Sequence, residues 1–350
     1  MDNDANEPTW PGSRGRAVTA LRELVVELTD RCPLMCVHCS SRAGPTCRTE
    51  LSGGIVAKIL AEAADLDTSQ VSFGGGEPAI APLFLEALRE AIRLGLSTEI
   101  FTCGAMLSAD GQLTPFPDKI VREFRALGTN LTLVFSLHGS CSTVHDSVTK
   151  TDGSFACLKE SLRKCMAYGI SCAANFVPMR INAADFLNTA SLVESLGVEK
   201  LSILRFVPQG RGWLNRRTLE LSRAQEDCVV EEILGLRNRT QVRVRTGSPF
   251  NGIIPGNDVP CRAGFQKLVV QPSGNVIPCE VFKKTDRSDW GASVYQMGLR
   301  QILSSPRFLA LRQALSKSQC SRCPVHGVAH ASRPDAEAIH GVSRAAVYNQ

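Results

Sequence analysis

The chain has 350 residues, with 39 lysines and arginines against 34 aspartates and glutamates, a formal net charge of +5. That excess is spread along the chain, which argues against a nucleic-acid or membrane surface as partner. The length allows one large α/β domain plus a small one, and hydrophobic residues make up 43%, enough for a sizeable core. No apolar run reaches the length of a membrane span, and the polar start, Met1 to Arg16, is no signal peptide. The 14 cysteines of a chain without an export signal read as cytoplasmic thiols serving metal or redox chemistry.

Residues 1–19 are read as a disordered leader, with Pro8, Pro11, Gly12 and Gly15 among polar residues. Leu21–Thr29 is the first predicted strand, and it runs into Cys32, Cys36 and Cys39. A helix follows over Ile55–Leu66, then a strand over Gln70–Phe73 that ends in Gly74-Gly75-Gly76-Glu77-Pro78. The alternation continues through a helix over Pro82–Leu94, a strand over Ser97–Thr102, a helix over Lys119–Leu127 and a strand over Leu131–Leu137. It closes with helices over Phe155–Tyr168, Ala183–Leu196 and Ser222–Leu236 and strands over Ile170–Val177 and Lys200–Phe206. Six strands alternating with helices predict a parallel sheet with right-handed crossovers. The implied fold is α/β, a partial (β/α)6 barrel, curved but not closed. Working residues then belong at the C-terminal ends of the strands, where both the cysteine triplet and the glycine run fall.

Beyond Arg245, prolines and glycines (Gly247, Pro249, Gly252, Pro255, Gly256, Pro260) suggest a linker into a small cysteine-rich module. Its frame is Cys261-x12-Gly274-x4-Cys279, then Cys320-x2-Cys323. Lys267–Gln271 and Asn275–Ile277 flank Pro272-Ser273-Gly274 as a hairpin. Short helices are expected over Gln296–Leu303 and Pro306–Leu315. Four cysteines in two groups suit zinc or a [4Fe–4S] cluster equally by spacing. Cys157, Cys165, Cys172 and Cys228 read as small core residues. Cys47, Cys103 and Cys141 lie on or near the working rim. His326, His330 and His340 fall in a tail over 326–350.

Cys-x3-Cys-x2-Cys offers three thiolates in eight residues, which suits an iron–sulfur cubane with one iron left open. A zinc site would need a fourth ligand, and none of the usual spacing follows. The triplet resembles the cluster loop of the radical S-adenosylmethionine (radical SAM) superfamily, with His38 as the ring-bearing residue before the last cysteine. Gly75, Gly76, Glu77 and Pro78 resemble that family's Gly-Gly-Glu motif, whose backbone binds the methionine moiety of SAM. Thr102-Cys103-Gly104 stands where the family often has Thr-Asn-Gly. Ser136-Leu137-His138-Gly139 resembles Ser-Leu-Asp-Gly, with His138 in place of the acid, and His145-Asp146 and Gly153-Ser154-Phe155 extend the likeness. Ser136, Asn175 and Arg180 are candidate SAM contacts, and Arg205 reaches the rim from the sixth strand. The second cysteine group resembles the auxiliary-cluster modules called SPASM and, in shortened form, twitch. No cysteine follows Cys323, so the shortened form with one auxiliary [4Fe–4S] cluster fits better.

The resemblance spans roughly residues 20–325, dividing the chain into a core domain over 20–246 and an auxiliary module over 247–325. It implies an enzyme that cleaves SAM reductively to a 5′-deoxyadenosyl radical and abstracts a hydrogen atom from a C–H bond. An electron donor such as flavodoxin or ferredoxin is implied. The expected substrate is a small metabolite (a sugar, aminocyclitol or amino acid unit), oxidised or epimerised. The alternative is a ribosomal peptide. Only about 20 residues precede the first strand, which leaves little room for a leader-binding module and favours the metabolite. A remoter alternative is a non-catalytic iron–sulfur carrier or zinc-stapled binding protein. Cys141, just beyond the fourth strand, is the candidate catalytic hydrogen donor, with Cys103 as competitor and an incidental small residue as the plain reading.

Overall fold

The structure is a computed structural model that describes residues 21–283 and 291–317, with side chains described as far as residue 313. The leader over 1–19, Cys320, Cys323 and the tail over 326–350 lie outside the described residues. The chain opens β1 (Glu23–Thr29), α1 (Gly53–Ala64), β2 (Gln70–Gly75), α2 (Phe84–Arg93) and β3 (Ser97–Thr102). A two-strand ribbon, β4 (Met106–Leu107) with β5 (Leu113–Thr114), precedes α3 (Asp118–Ala126), β6 (Leu131–Ser136), α4 (Ser142–Thr149) and α5 (Ser154–Ala167). There follow β7 (Ser171–Phe176), α6 (Phe186–Ser195), β8 (Lys200–Ile203), α7 (Arg211–Leu214), α8 (Arg216–Leu219) and α9 (Arg223–Arg237). The last elements are β9 (Arg243–Thr246), β10 (Lys267–Val270), β11 (Val276–Ile277), α10 (Leu299–Leu303) and α11 (Pro306–Lys317).

One sheet holds nine strands in the order β11-β10-β1-β2-β3-β6-β7-β8-β9. Every pair in it is parallel except the β10–β11 hairpin. The six expected strands run in sequence order through its middle. Two extensions correct the six-strand reading. β9 has only four residues, three of them polar (Arg243, Arg245, Thr246), so its alternation is too brief to signal a strand. β10 lies parallel to β1, pairing Glu23 with Lys267 and Val26 with Val270. The cysteine-rich segment therefore enters the same sheet at the edge left open by the core, which no local pattern foretells.

The helices cover one face. Leu24, Val26 and Leu28, with Leu133 and Phe135, join Phe84, Phe116 and Phe124 in the main core. The other face is polar at its base. Gln70 donates to Glu99 at 3.1 Å, and the Lys200 ammonium lies 3.2 Å from the Glu99 carboxylate. β3 and β8 have two strands between them, about 14 Å at ordinary strand spacing. Two side chains span that gap only if the sheet curls toward a barrel, so the polar face is an interior.

Several helix ends are set locally. Ser222 and Gln225 form a reciprocal capping box at the start of α9. Asp146 accepts from Gly153 N–H, Phe155 N–H and the Ser154 hydroxyl, fixing the start of α5. This is the structural work of the His145-Asp146 and Gly153-Ser154-Phe155 pair. α4 is absent from the sequence reading because Ser142–Thr149 is mostly polar. Cys157, Cys165 and Cys172 are buried as expected, but Cys228 is exposed on α9, one position off the helix's buried residue Val229. The stretch read as a linker is packed: Phe250 and Ile254 are buried, and the buried Asn251 bonds to Asn257 and Val259.

Candidate active site

β1 delivers Thr29 to the rim, and the loop beyond it is closed by its own backbone. Cys32 N–H donates to the Gly44 carbonyl at 3.1 Å, and Gly44 N–H returns to Asp30 O at 3.2 Å. The Asp30 carboxylate takes Thr49 N–H at 2.8 Å. The glycine run at the end of β2 is stitched to the same loop: Gly76 N–H donates to Thr29 O at 2.6 Å and Glu77 N–H to Arg31 O at 2.8 Å. Only glycine permits this approach. A Cβ on Gly76 would stand 1.9 Å from the Arg31 carbonyl oxygen, and Gly75 has φ +113°.

Cys32, Cys36 and Cys39 are half-buried within this loop and in no disulfide. Burial, then the nearby Cys32 and Cys39 sulfurs, pushes the Cys36 thiol well above its ordinary range. Burial likewise raises Cys39. Burial and crowding thus oppose ionisation of Cys36 and Cys39, and a bound iron cation reverses this by stabilising the thiolates. A cubane spreads its cysteine sulfurs over separate irons and leaves one iron open, an arrangement that three thiols of one loop fit.

Cys103 joins this group. Its thiol is raised by contact with Cys32, by burial and by Glu77. Glu77 itself is wholly buried and saturated: it accepts from Ala79 N–H at 3.1 Å, the Thr102 hydroxyl at 2.9 Å and Cys103 N–H at 2.7 Å. Burial raises its carboxyl. The Glu77 side chain is thus committed to holding the β2 and β3 ends together, which leaves Gly75 and Gly76 as the groups with backbone facing the loop.

Ser136 and Asn175 are register partners at the ends of β6 and β7. Both are half-buried, and they share the interior face with Glu99 and Lys200 by strand alternation. Arg180 is not brought to them. It is exposed, and its guanidinium donates to the Glu220 carbonyl at 2.9 Å. Arg205 pairs with Glu226 at 3.1 Å and bonds the Pro249 carbonyl. Cys141 is exposed at the residue preceding α4. Behind it, Ser140 N–H and hydroxyl donate to Asp185 at 2.6 and 2.8 Å.

Two buried histidines, His138 and His145, and the half-buried His38 line the loop's flank. His38 meets His138 edge-on at 4.6 Å between ring centres, and His138 stacks on His145 at 5.5 Å. Burial holds His38 and His145 down to about 4 and His138 well below the ordinary range, so all three are neutral. His145 Nδ1 accepts from His138 N–H.

Two further groups escaped the sequence reading. Arg211 donates to the Cys36 carbonyl at 2.8 Å and the Ala43 carbonyl at 2.6 Å. Lys283 is buried with Glu27 in an ion pair and also donates to Ser41 at 2.8 Å. Nothing in their neighbours marks either one, since each acts across a long sequence gap. A cavity of about 260 Å³ opens beside this pair, lined by Asp30, Ser41, Arg42, Gln271 and Ser273 among others.

In the auxiliary segment, Gly264 N–H bonds both Lys267 O and Pro278 O, drawing the Cys261 and Cys279 stretches together. The Cys279 thiol lies 3.2 Å from Glu280, and burial pushes it well up. Lys267 neutralises Glu280 and Glu23 at 2.9 and 2.8 Å. Burial works to raise the Glu280 carboxyl, but Lys267 outweighs it and holds it down to about 2.

Comparison with known proteins supports this picture. The radical SAM superfamily matches residues 26–193, and the SPASM iron–sulfur cluster-binding domain matches residues 261–324. The chain is 30% identical to a PqqA peptide cyclase of Ruegeria pomeroyi over 282 residues, 77% of this chain and 71% of that one. It is 29% identical to the mycofactocin maturase MftC of Mycobacterium ulcerans over 310 residues, 86% of this chain and 79% of that one. The fold matches SuiB of Streptococcus suis, solved with its precursor peptide SuiA, with a TM-score of 0.70 at 16% identity, covering 90% of this chain and 74% of that one. These findings overturn the expectation of a small metabolite, for one relative is named a peptide cyclase, another a maturase, and SuiB is solved with a precursor peptide. The count of residues ahead of β1 was a poor guide, because it says nothing of what the sheet interior accepts. With a cyclase relative at this identity aligned over most of both chains, the protein belongs to the radical SAM superfamily and carries a SPASM-type iron–sulfur domain after its core.

Proposed function

We propose that this enzyme is a peptide maturase, acting on a C–H bond of a residue in a ribosomally made precursor. The observation that carries the reading is the alignment with the PqqA peptide cyclase over 77% of the chain. Its cofactors are a SAM-binding [4Fe–4S] cluster, SAM and an auxiliary [4Fe–4S] cluster. In this reading Cys32, Cys36 and Cys39 hold the first cluster, and Cys261 and Cys279 contribute to the second with Cys320 and Cys323. Together the reduced cluster and SAM supply a radical able to take a hydrogen atom from an unactivated carbon.

The chain's own residues position and shield. Gly75 and Gly76 hold bare backbone against the cluster loop, where a backbone carbonyl can accept from a ligand's amino group. Ser136 and Asn175, side by side on the interior face, offer a hydroxyl and an amide to the rest of it. The neutral histidines on the flank present apolar ring faces and no charge. Peptide reaches the interior from the strand C-termini, the end on which all these residues lie. The proposed division of the chain puts this machinery in residues 20–246 and the auxiliary site in 247–325. Among the described residues no helix is long and apolar enough to cross a membrane.

The test is direct. Anaerobically reconstituted enzyme, SAM and a strong reductant are incubated with the short peptides encoded beside its gene. A peptide whose mass falls by two hydrogens, or which keeps its mass with one inverted centre, is the expected result. The reading fails if deoxyadenosine formation stays at its uncoupled rate with every such peptide.

A further inference from the structure

We propose that the outer surface of α7 and α8 docks an acidic one-electron carrier protein, which reduces the primary cluster through the loop this segment covers. The inference rests on the family assignment, not on the nature of the substrate.

The segment is built onto the cysteine loop. Besides the two guanidinium bonds described above, Arg211 N–H donates to the Cys39 carbonyl at 2.9 Å. Asn215 donates to the Val37 carbonyl at 2.9 Å. Gly210 and Gly212 allow backbone contact: a Cβ on Gly210 would meet the Ser40 carbonyl oxygen at 2.3 Å, and one on Gly212 would meet that of His38 at 3.1 Å. No other helix touches so many carbonyls of the Cys36–Ala43 stretch among the described hydrogen bonds.

What the segment shows to solvent is apolar and basic. Leu214 is 65% exposed and Trp213 is 44% exposed. Arg216 stacks on Trp213 at 4.0 Å. Arg217 is exposed. Arg180 N–H and guanidinium bond the Leu219 and Glu220 carbonyls, placing Arg180 and the exposed Ile181 on the same surface. Several other surface arginines are neutralised: Arg89, Arg93, Arg163 and Arg223 each pair with a carboxylate. Among the described residues Arg180, Arg216 and Arg217 pair with none. The acidic group nearest in sequence is Glu220, which gives Arg180 only its carbonyl.

An exposed apolar patch ringed by unneutralised cations is a protein-binding surface for an acidic partner. Charge of this kind steers encounter and hastens association at low salt. Transient electron-transfer contacts are small, which fits two short helices. A low-potential flavodoxin or ferredoxin meets the chemistry. The carrier is oxidised by one electron, the cluster is reduced by one, and no further reactant is needed.

The experiment follows cluster reduction by stopped flow, using reduced flavodoxin and reduced ferredoxin in turn, across a range of salt. The variants are the double substitution Arg216→Glu with Arg217→Glu and, separately, Leu214→Glu. Iron content and dithionite-driven SAM cleavage serve as controls. The expected result is a fall of about tenfold or more in the rate with carrier, a shallower salt dependence in the double variant, and unchanged controls. An unchanged carrier rate overturns the proposal, as does wild-type enzyme that neither carrier reduces. Parallel loss of dithionite-driven cleavage would mark the residues as structural. Weakened peptide binding with normal reduction would assign the surface to the peptide instead. Both outcomes reject the docking role.

Discussion

Gly76 and Arg31 occupy adjoining space with no room for one more carbon: a Cβ on Gly76 would lie 1.9 Å from the Arg31 carbonyl oxygen. The clash is with backbone, so no rotamer change relieves it. Gly76→Ala is expected to push the cysteine loop off the β2 end and break the Glu77 N–H bond to Arg31. Iron should fall from about eight per chain toward about four, the auxiliary cubane alone. Iron analysis of the reconstituted variant checks this, and retention of full iron would refute the stitched-loop account.

Replacing Cys32, Cys36 and Cys39 together with alanine should also leave about four irons and abolish SAM cleavage. Metal analysis of the same variant reports on the second site. If wild-type enzyme holds one zinc and only about four irons, the C-terminal cysteines form a structural zinc site.

Lys283 and Glu27 are 6% and 3% exposed and ion-paired, joining the segment after Cys279 to β1. Lys283→Met leaves the Glu27 carboxylate buried without its cation and should cost roughly 3–5 kcal/mol. Adding Glu27→Leu removes the stranded charge and should recover most of that loss. Denaturant unfolding of the three proteins measures it; no recovery in the double variant would show that the pair does more than compensate itself.

Asp185 anchors the loop ahead of Cys141. Partial burial works to raise its carboxyl, but the Ser140 N–H and hydroxyl prevail and hold it below the ordinary range. A depressed folded-state pKa stabilises above the unfolded value, near 3.9, and that stabilisation is lost as pH falls through the folded value. Asp185→Asn should therefore cost about 1–2 kcal/mol at pH 7, allowing for partial exposure. The gap to wild type should begin to narrow below roughly pH 4 and go on narrowing as pH falls through the folded value. Unfolding is compared from pH 7 down to about pH 2; a gap that does not narrow over that range would exclude the ionised form as its source.

Cys141 distinguishes two outcomes at the peptide. If its thiol returns a hydrogen atom to the substrate radical, product formed in D2O carries one solvent deuteron at the reacting carbon. Cys141→Ala would then still form deoxyadenosine without giving the epimer. A wild-type product two hydrogens lighter than substrate rejects the donor role and points to oxidation with the auxiliary cluster as electron acceptor. Cys103, beside Cys32, is the control substitution, since its loss should disturb the cluster loop first.

Much of this was written locally. The period-two runs at Ser97–Thr102 and Leu131–Leu137 coincide with strands almost to the residue. The sequential βα order then forces neighbours in a parallel sheet. Cys32, Cys36 and Cys39 sit within one loop, so their spacing alone brings them together. Gly75 and Gly76 end the next strand, and the sheet does the rest.

The chain's order of residues thus determined the six-stranded core, the rim on which its motifs lie and the chemistry of three clustered thiols. These depend on contacts a few residues apart or on adjacent strands. Only the tertiary structure decided that β10 completes the sheet beside β1, that Lys283 neutralises Glu27 across 256 positions, and that Arg211 holds the carbonyls of the cysteine loop. Arg180 shows the same limit in reverse: its place after a strand suggested the site, while the Glu220 carbonyl just past α8 took its guanidinium elsewhere. A buried charge or a backbone carbonyl accepts any donor the fold brings near, and sequence periodicity carries no record of which one arrives.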